Sequence, residues 1–264
     1  MQQVSRSIVI KTKRYVDINC DLGEGQSLAS CAQDALIMPY ISRCNIACGG
    51  HAGNRLTMQS TLRNARSHGL ICGAHPGYAD KANFGRTSLS ISISELIESL
   101  VVQISELQQQ ANDLAVNLSH IKLHGALYND AEKSPELASK ICQMLASIFP
   151  HLMVLGLPQG AMQSAAQHHG LVFLREGFMD RAYLANGQLA ARSKVGSVYE
   201  NIEQCIAQVM SLLNGDAFIT FDNQPLELQV DSICLHGDSN IAVDLARRLK
   251  THLNEQNWMI ACSE

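Results

Sequence analysis

With 264 residues, 46% of them hydrophobic and 17% charged, the chain carries enough apolar content for one large core or two small ones. A formal net charge of −4 leaves no basic footprint for nucleic acid or an anionic membrane surface. No apolar run approaches the roughly 18 residues that span a bilayer.

The N-terminal stretch carries Arg6, Lys11, Lys13 and Arg14 around a short apolar "IVI", too brief for the core of a signal peptide. Residues 1–14 read as an extension into the first strand, and the chain as cytoplasmic. Nine cysteines, an odd number with no CxxC pair, read as reduced structural thiols. Cys20, Cys72, Cys142 and Cys234 lie in apolar runs, where a thiol packs as a small hydrophobe.

The first strand-like run is "YVDINCD" (15–21), followed by Glu24. Asp17, Asn19 and Asp21 are two apart, so on an extended strand they point the same way. Turned inward together, they need a ligand, a metal or partners. A short segment, "QDALIMPYIS", is broken by Pro39. Next comes "CNIACG" (44–49), which stops on Gly49 and Gly50 and delivers His51. A helical pattern, "RLTMQSTLRNARSHG", runs to Gly69, and "LICGAH" (70–75) ends in His75.

Ser92 or Ser94 opens the helix "SISELIESLVVQISELQQQ". The strand "HIKLHG" (120–125) gives Lys122 and His124 the same parity. Pro135 after Ser134 is the favoured order at a helix start. "LMVLGL" (152–157), the helix "QGAMQSAAQHHG" and "LVFLREG" (171–177) follow, the last leading through Glu176 to Asp180 and Arg181. Segments 187–196 and 216–231 read as excursions, the second a hairpin or loop. Between them lies the helix "YENIEQCIAQVMSLLNG". "SICLHG" (232–237) supplies His236, then Asp238, before the helix "NIAVDLARRLKTHLNEQ".

Near-continuous apolar strands alternating with helices predict a parallel sheet with right-handed crossovers. An open sheet gathers its chemistry at one switch point, whereas polar residues here recur at the ends of at least six strands. The reading is therefore α/β: a (β/α) barrel-like fold with parallel strands, seven-stranded and imperfectly closed, one domain over 15–264.

Four histidines (His51, His75, His124 and His236) repeat one strand-end context and read as a functional set. His68, His168, His169 and His252 fall late in helices, where an imidazole suits the dipole. His120 and His151 precede strands and are assigned to the opposite rim. Carboxylates with histidines fit either a divalent metal or metal-free general acid–base chemistry. Neither HExxH nor CxxC selects the metal. Lys122 and Arg181 suit a substrate carboxylate or an oxyanion. The GxSxG elbow and the GxxxxGK[ST] and GxGxxG cradles are absent.

The ordered motifs "DINCDLGEG", "NIACGGHAGN", "GAHPGYADKANFGR", "IKLHGALYN", "EGFMDRAY…GQLAARS" and "ICLHGDS" resemble the LamB/YcsF family, whose members are the A subunits of 5-oxoprolinase. The resemblance runs from Val16 to the last helix. It implies a barrel-like fold distantly similar to carbohydrate deacetylases. It also implies opening of the lactam of 5-oxo-L-proline to L-glutamate, coupled to ATP and performed with partner subunits B and C. By matching motif, Asp17, Asp21 and Glu24 become acid–base or ion-binding carboxylates, and His51 and His75 activators of water or a carbonyl. Lys122 with His124 would neutralise developing negative charge, and Asp180, Arg181 and His236 complete the cavity wall. Asn19, Asn45, Arg86, Arg181 and Asp238 are the substrate-binding candidates.

The chain departs from the family's Cys-Gly-Phe-His-Ala-Gly-Asp at Gly50 and Asn54. It departs from Lys-Pro-His-Gly at Leu123, and from Val-Phe-Ala-Asp-Arg at Gly177 and Met179. Loss of the aromatic at 50 implies a larger pocket, and loss of the charge at 54 an altered base or its orienter. Two alternatives therefore stand beside the resemblance: a metal-dependent amide or acetamido hydrolase of deacetylase-like type, and a non-catalytic ligand-binding paralogue.

Overall fold

The computed structural model describes residues 13–237 and 241–262, so most of the expected extension over 1–14 lies outside the described residues. The elements begin with β1 (Arg14–Leu22), α1 (Leu28–Asp34), a 3₁₀ turn (Met38–Tyr40), β2 (Arg43–Ala47), α2 (Arg55–Ser67) and β3 (Ile71–His75). They continue through α3 (Ile93–Asp113), β4 (Leu118–Lys122), α4 (Gly125–Lys133), α5 (Pro135–Ile148), β5 (Met153–Gly156), α6 (Ala161–His168) and β6 (Phe173–Phe178). After β6 come α7 (Ile202–Asn214), the two-residue strands β7 (Phe218–Ile219) and β8 (Pro225–Leu226), β9 (Ser232–His236), α8 (Ala242–Glu255) and β10 (Trp258–Ile260).

The ring runs β1–β2–β3–β4–β5–β6–β9 and returns to β1, parallel throughout. Seven strands thus form a closed barrel, the last ladder pairing Asp17 with Ser232 through Asp21 with His236. β1 is long enough to serve twice: its first residues, Arg14–Val16, pair instead with β10. β7 and β8 form an antiparallel hairpin inside the 216–231 excursion.

Local chemistry sets the helix starts. Ser27 with Ser30, Asn54 with Thr57 and Ser92 with Glu95 form reciprocal capping boxes. The α3 cap is therefore Ser92, with Ser94 already inside the helix. Ser134 caps α5 with Pro135 in the first turn.

Alternation along each strand separates two cores. Ile18, Cys20, Leu22, Cys44, Ile46, Cys72 and Ala74 pack outward among helix residues such as Leu62, Leu100, Ile104 and Leu107, all buried. The inward set is polar and stacked in layers. In the lowest, Arg43 Nε donates to Asp17 Oδ2 at 2.7 Å. Above it, Asn45 Nδ2 donates to Asn19 Oδ1 at 2.9 Å, and Asn19 Nδ2 to Ser232 Oγ at 2.9 Å.

His120 belongs to this interior, not to the opposite rim as expected. It lies inside β4, is fully buried, and its Nε2 donates to Asn45 Oδ1 at 2.7 Å while Nδ1 accepts from Arg43 at 3.2 Å. A Cβ on the facing residue, Gly73, would lie 2.3 Å from the His120 ring, so only glycine leaves room. Burial first, and then the Arg43 charge, hold His120 well below the usual imidazole range.

Candidate active site

The strand ends deliver their last inward residues to one mouth, where a cavity of about 580 Å³ opens under the segment 184–194. Asp21, Glu24, His75, Lys122, His124 and His236 line it. Arg86 and Arg181 line it as well.

Lys122, from the last position of β4, forms the cavity floor. Its Nζ lies 2.9 Å from Asp21 Oδ1 and 2.8 Å from Glu176 Oε1, with Asn19 Oδ1 at 3.3 Å and Cys234 Sγ at 3.1 Å. Tyr128 donates its hydroxyl to the other Glu176 oxygen at 3.0 Å. Burial opposes the Lys122 charge, but Asp21, Cys234 and Glu176 outweigh it and hold the ammonium well above its ordinary range. Burial likewise works against an ionised Asp21, and His75 and Lys122 overcome it, drawing the carboxyl well below its usual value. The floor is a fixed cation between two carboxylates.

Beside it stand three imidazoles. His75 Nδ1 donates to the Lys122 carbonyl at 2.8 Å, and His124 Nε2 to the Phe84 carbonyl at 2.9 Å. These bonds leave His75 Nε2 and His124 Nδ1 facing each other at 3.0 Å. Glu24 Oε1 lies 3.3 Å from His124 Nδ1 and 3.9 Å from His75 Nε2, while Asp21 Oδ2 is 3.4 Å from His75 Nε2. His51, arriving through the Gly49–Gly50 turn, stacks on His124 with centroids 3.5 Å apart and lies 3.1 Å from Glu24 Oε1 through Nε2. Burial, reinforced by His75, drives His51 down to about 2 and His124 lower still, so both rings are neutral. His75 shifts the other way: burial opposes its charge, but Asp21 outweighs burial and raises the imidazole above its ordinary value.

The opposite wall comes from β6 and β9. Asp180 receives a hydrogen bond from His236 Nδ1 at 2.8 Å, which orients the ring against Phe178. Burial acts against the Asp180 charge and His236 more than offsets it, so the carboxyl sits low. Arg181 donates to the carbonyls of Ala190 and Ser197 at 2.6 and 3.4 Å, tying down the segment that roofs the cavity. Burial, with Arg192 nearby, lowers its guanidinium to about 10.

Several expected residues stand elsewhere. Asp17 is paired with Arg43 in the lowest layer, and Asn19 and Asn45 are fully buried in the next; none of the three lines the cavity. His51 stands behind His124 and Asp180 behind His236, each reaching the cavity through the ring in front. Asp238 lies outside the described residues. Glu176 and Cys234 join the floor. Cys234, expected as an apolar filler, is two residues from His236 on β9, and that parity is the signal that points it inward.

The departures at 50 and 54 have local explanations. Gly50 does not enlarge the cavity, because Gln103 from α3 fills its side-chain space: a Cβ there would lie 2.2 Å from Gln103 Oε1. Asn54 is the N-cap of α2, its side-chain oxygen accepting from Thr57 N–H at 3.1 Å, a duty that asparagine and aspartate share. Leu123 lines the cavity, while Gly177 and Met179 are packed away from it.

Glu24, His51, His75 and His124 each offer a donor atom within 4.8 Å of the others, a set chemically suited to a divalent metal. Asp21, Cys234 and His236 form a second such group. Closed parallel barrel, C-terminal mouth and a carboxylate–histidine–lysine cavity together define a (β/α) barrel enzyme. The LamB/YcsF family model matches residues 16–264, and this chain belongs to that family. It is 38% identical over 242 residues to the 5-oxoprolinase A subunit of Clostridium beijerinckii, covering 92% of this chain and 95% of that protein. Its identity to the 5-oxoprolinase A subunit of Erwinia tasmaniensis is 38% over 248 residues, covering 94% and 99%. The crystal structure of a lactam utilization protein from Thermus thermophilus superposes with a TM-score of 0.86 at 31% identity, covering 94% of this chain and all of that one.

Proposed function

We propose that the chain is the A subunit of an ATP-dependent 5-oxoprolinase. It opens the lactam of 5-oxo-L-proline to L-glutamate in the cytoplasm, as one domain over residues 15–264 that works with partner subunits B and C. The observation that carries this reading is near full-length likeness to proteins named as 5-oxoprolinase A subunits. The cavity's chemistry supports it.

Lactam opening adds water to the ring carbonyl carbon and breaks its bond to nitrogen, which leaves as an amine after taking a proton. The reaction needs a base for the water, positive charge for the oxyanion and an acid for the leaving nitrogen. Glu24 and Asp21 are carboxylates facing the cavity, and the fixed Lys122 cation meets the second demand. His75, whose hold on a proton Asp21 strengthens against burial, is suited to the third. Arg86 and Arg181 present positive charge for the substrate carboxylate. An unstrained lactam resists hydrolysis, so phosphoryl transfer from ATP to the carbonyl oxygen, with ADP leaving, is the activating step. Water addition and C–N cleavage then leave an acyl phosphate, and a second water releases phosphate and glutamate. The chain's lack of a GxxxxGK[ST] cradle agrees with ATP being handled together with the partners.

The test is ATP-dependent glutamate release from 5-oxoproline by the reconstituted assembly. Turnover is expected only with ATP and all subunits, and His75→Ala is expected to lower it by about 10²-fold or more. No turnover by the complete assembly, with His75→Ala leaving 5-oxoproline binding unchanged, overturns the assignment. The carboxylate–histidine cluster favours a second reading, metal-assisted hydrolysis of an amide without ATP. Glutamate release that requires a divalent ion but neither ATP nor partners would select it.

A further inference from the structure

We propose that Glu24 Oε1, His75 Nε2 and His124 Nδ1 form a three-ligand site for a zinc-class divalent cation, with its open position facing the cavity and His51 as the residue that orients Glu24. A proton inventory carries the argument. A carbonyl oxygen can only accept, so the 2.8 Å bond from His75 Nδ1 to Lys122 and the 2.9 Å bond from His124 Nε2 to Phe84 fix the protons on those nitrogens. In its neutral form each ring then presents a lone pair at its other nitrogen, and those two nitrogens are 3.0 Å apart. Carboxylate oxygens stand around them, Glu24 Oε1 at 3.3 and 3.9 Å and Asp21 Oδ2 at 3.4 Å. So many acceptors converging on one point call for a cation. A proton is the rival occupant, but it bridges only one edge of the group.

The spacing suits an ion. Zinc holds nitrogen and oxygen ligands at about 2.0–2.1 Å, which in a tetrahedron sets neighbouring ligand atoms about 3.3 Å apart. The three edges here are 3.0, 3.3 and 3.9 Å. The His75 and His124 planes cross at 88°, so their in-plane lone pairs approach a common point from different directions. Both rings already donate their remote N–H to a backbone carbonyl, as metal-bound histidines do. Two histidines and one glutamate are a set that leaves a fourth position open. His51 is excluded as a ligand by its orientation. Its plane is within 3° of His124's, with the two rings stacked at a centroid distance of 3.5 Å, so an ion in the plane of His124 lies off its own. It instead donates from Nε2 to Glu24 Oε1 at 3.1 Å. None of this depends on the substrate being a lactam.

The test is cobalt(II) titration of the chelator-treated full-length protein, read by visible absorption and by bound metal. One equivalent is expected, with d–d bands of a nitrogen–oxygen site and no thiolate charge-transfer band. Glu24→Gln, His75→Ala and His124→Ala should each abolish stoichiometric uptake, and His51→Ala should weaken it by about 10–100-fold. Glu24→Gln is nearly isosteric, and thermal melting of each variant verifies that it is folded. Absence of stoichiometric uptake by the wild-type protein overturns the site and leaves the proton as occupant. So does uptake that survives Glu24→Gln and His124→Ala, or a thiolate band lost in His236→Ala, which would move the ion to the Asp21–Cys234–His236 group.

Discussion

Gln103 fills the side-chain space that Gly50 leaves at this barrel mouth. Its amide oxygen accepts from Gly77 N–H at 3.1 Å and its nitrogen donates to Gly77 O at 2.9 Å, clamping the backbone that follows His75. Residues 50 and 103 are thus one packing unit. Gly50→Ala alone should destabilise the fold, because the new Cβ strikes a hydrogen-bonded amide. In the background of Gln103→Ala the same change should cost less. A double-mutant cycle by chemical denaturation is expected to give a coupling of about 0.5–3 kcal/mol, and additive costs would show that the residues do not share the space. Nothing in the local sequence announces this, since 53 residues separate the partners and one of them has no side chain. Depth was equally hidden. Parity placed Asp17, Asn19 and Asp21 on one face, but at about 3.3 Å per residue Asp17 lies some 13 Å from Asp21 along the strand, so only the last reaches the mouth.

The start of α6 illustrates how an element borrows what its own sequence lacks. Its N-cap, Gly160, has no side chain to offer, and Glu132 from α4 accepts from the N–H groups of Leu157 and Met162 at 2.9 and 3.3 Å. Burial raises this carboxyl to about 8, although both backbone donors act the other way. Between the ordinary 4.5 and that value, the folded state holds a proton that the unfolded chain has released. Stability conferred by the neutral acid is therefore complete below pH 4.5 and is lost as pH rises toward 8, by at most about 1.4 kcal/mol per unit. Glu132→Gln should flatten that slope. Melting temperatures at pH 5 and pH 8 for both proteins check it, and an unchanged slope in the variant would assign the pH dependence to other groups. Elements of this kind were legible where periodicity and caps are local, as in the seven strands and the Ser134–Pro135 start of α5. The place of His120 is not legible in "HIK", which does not say where a strand enters the barrel, and its partners come from β2.

Across the whole molecule, the interior of the barrel is a column of ion pairs and amide bonds, where such barrels ordinarily pack branched apolar side chains. Its stability rests on every charge keeping its partner. Lys122→Met should therefore cost about 3–5 kcal/mol, because Asp21 and Glu176 would be left buried without their cation. Urea denaturation measures this, and a loss below about 1 kcal/mol would mean that water or rearrangement compensates. The same closed ring governs how the protein is made. Asp21 gains its second neighbour only when His236 arrives beside it, from the far end of the chain. During synthesis the first strand must wait, one edge bare, until nearly everything else has left the ribosome. The catalytic mouth is thus absent from every shorter nascent chain, and its assembly is the closing of a long loop, the slowest kind of contact for a polypeptide to make.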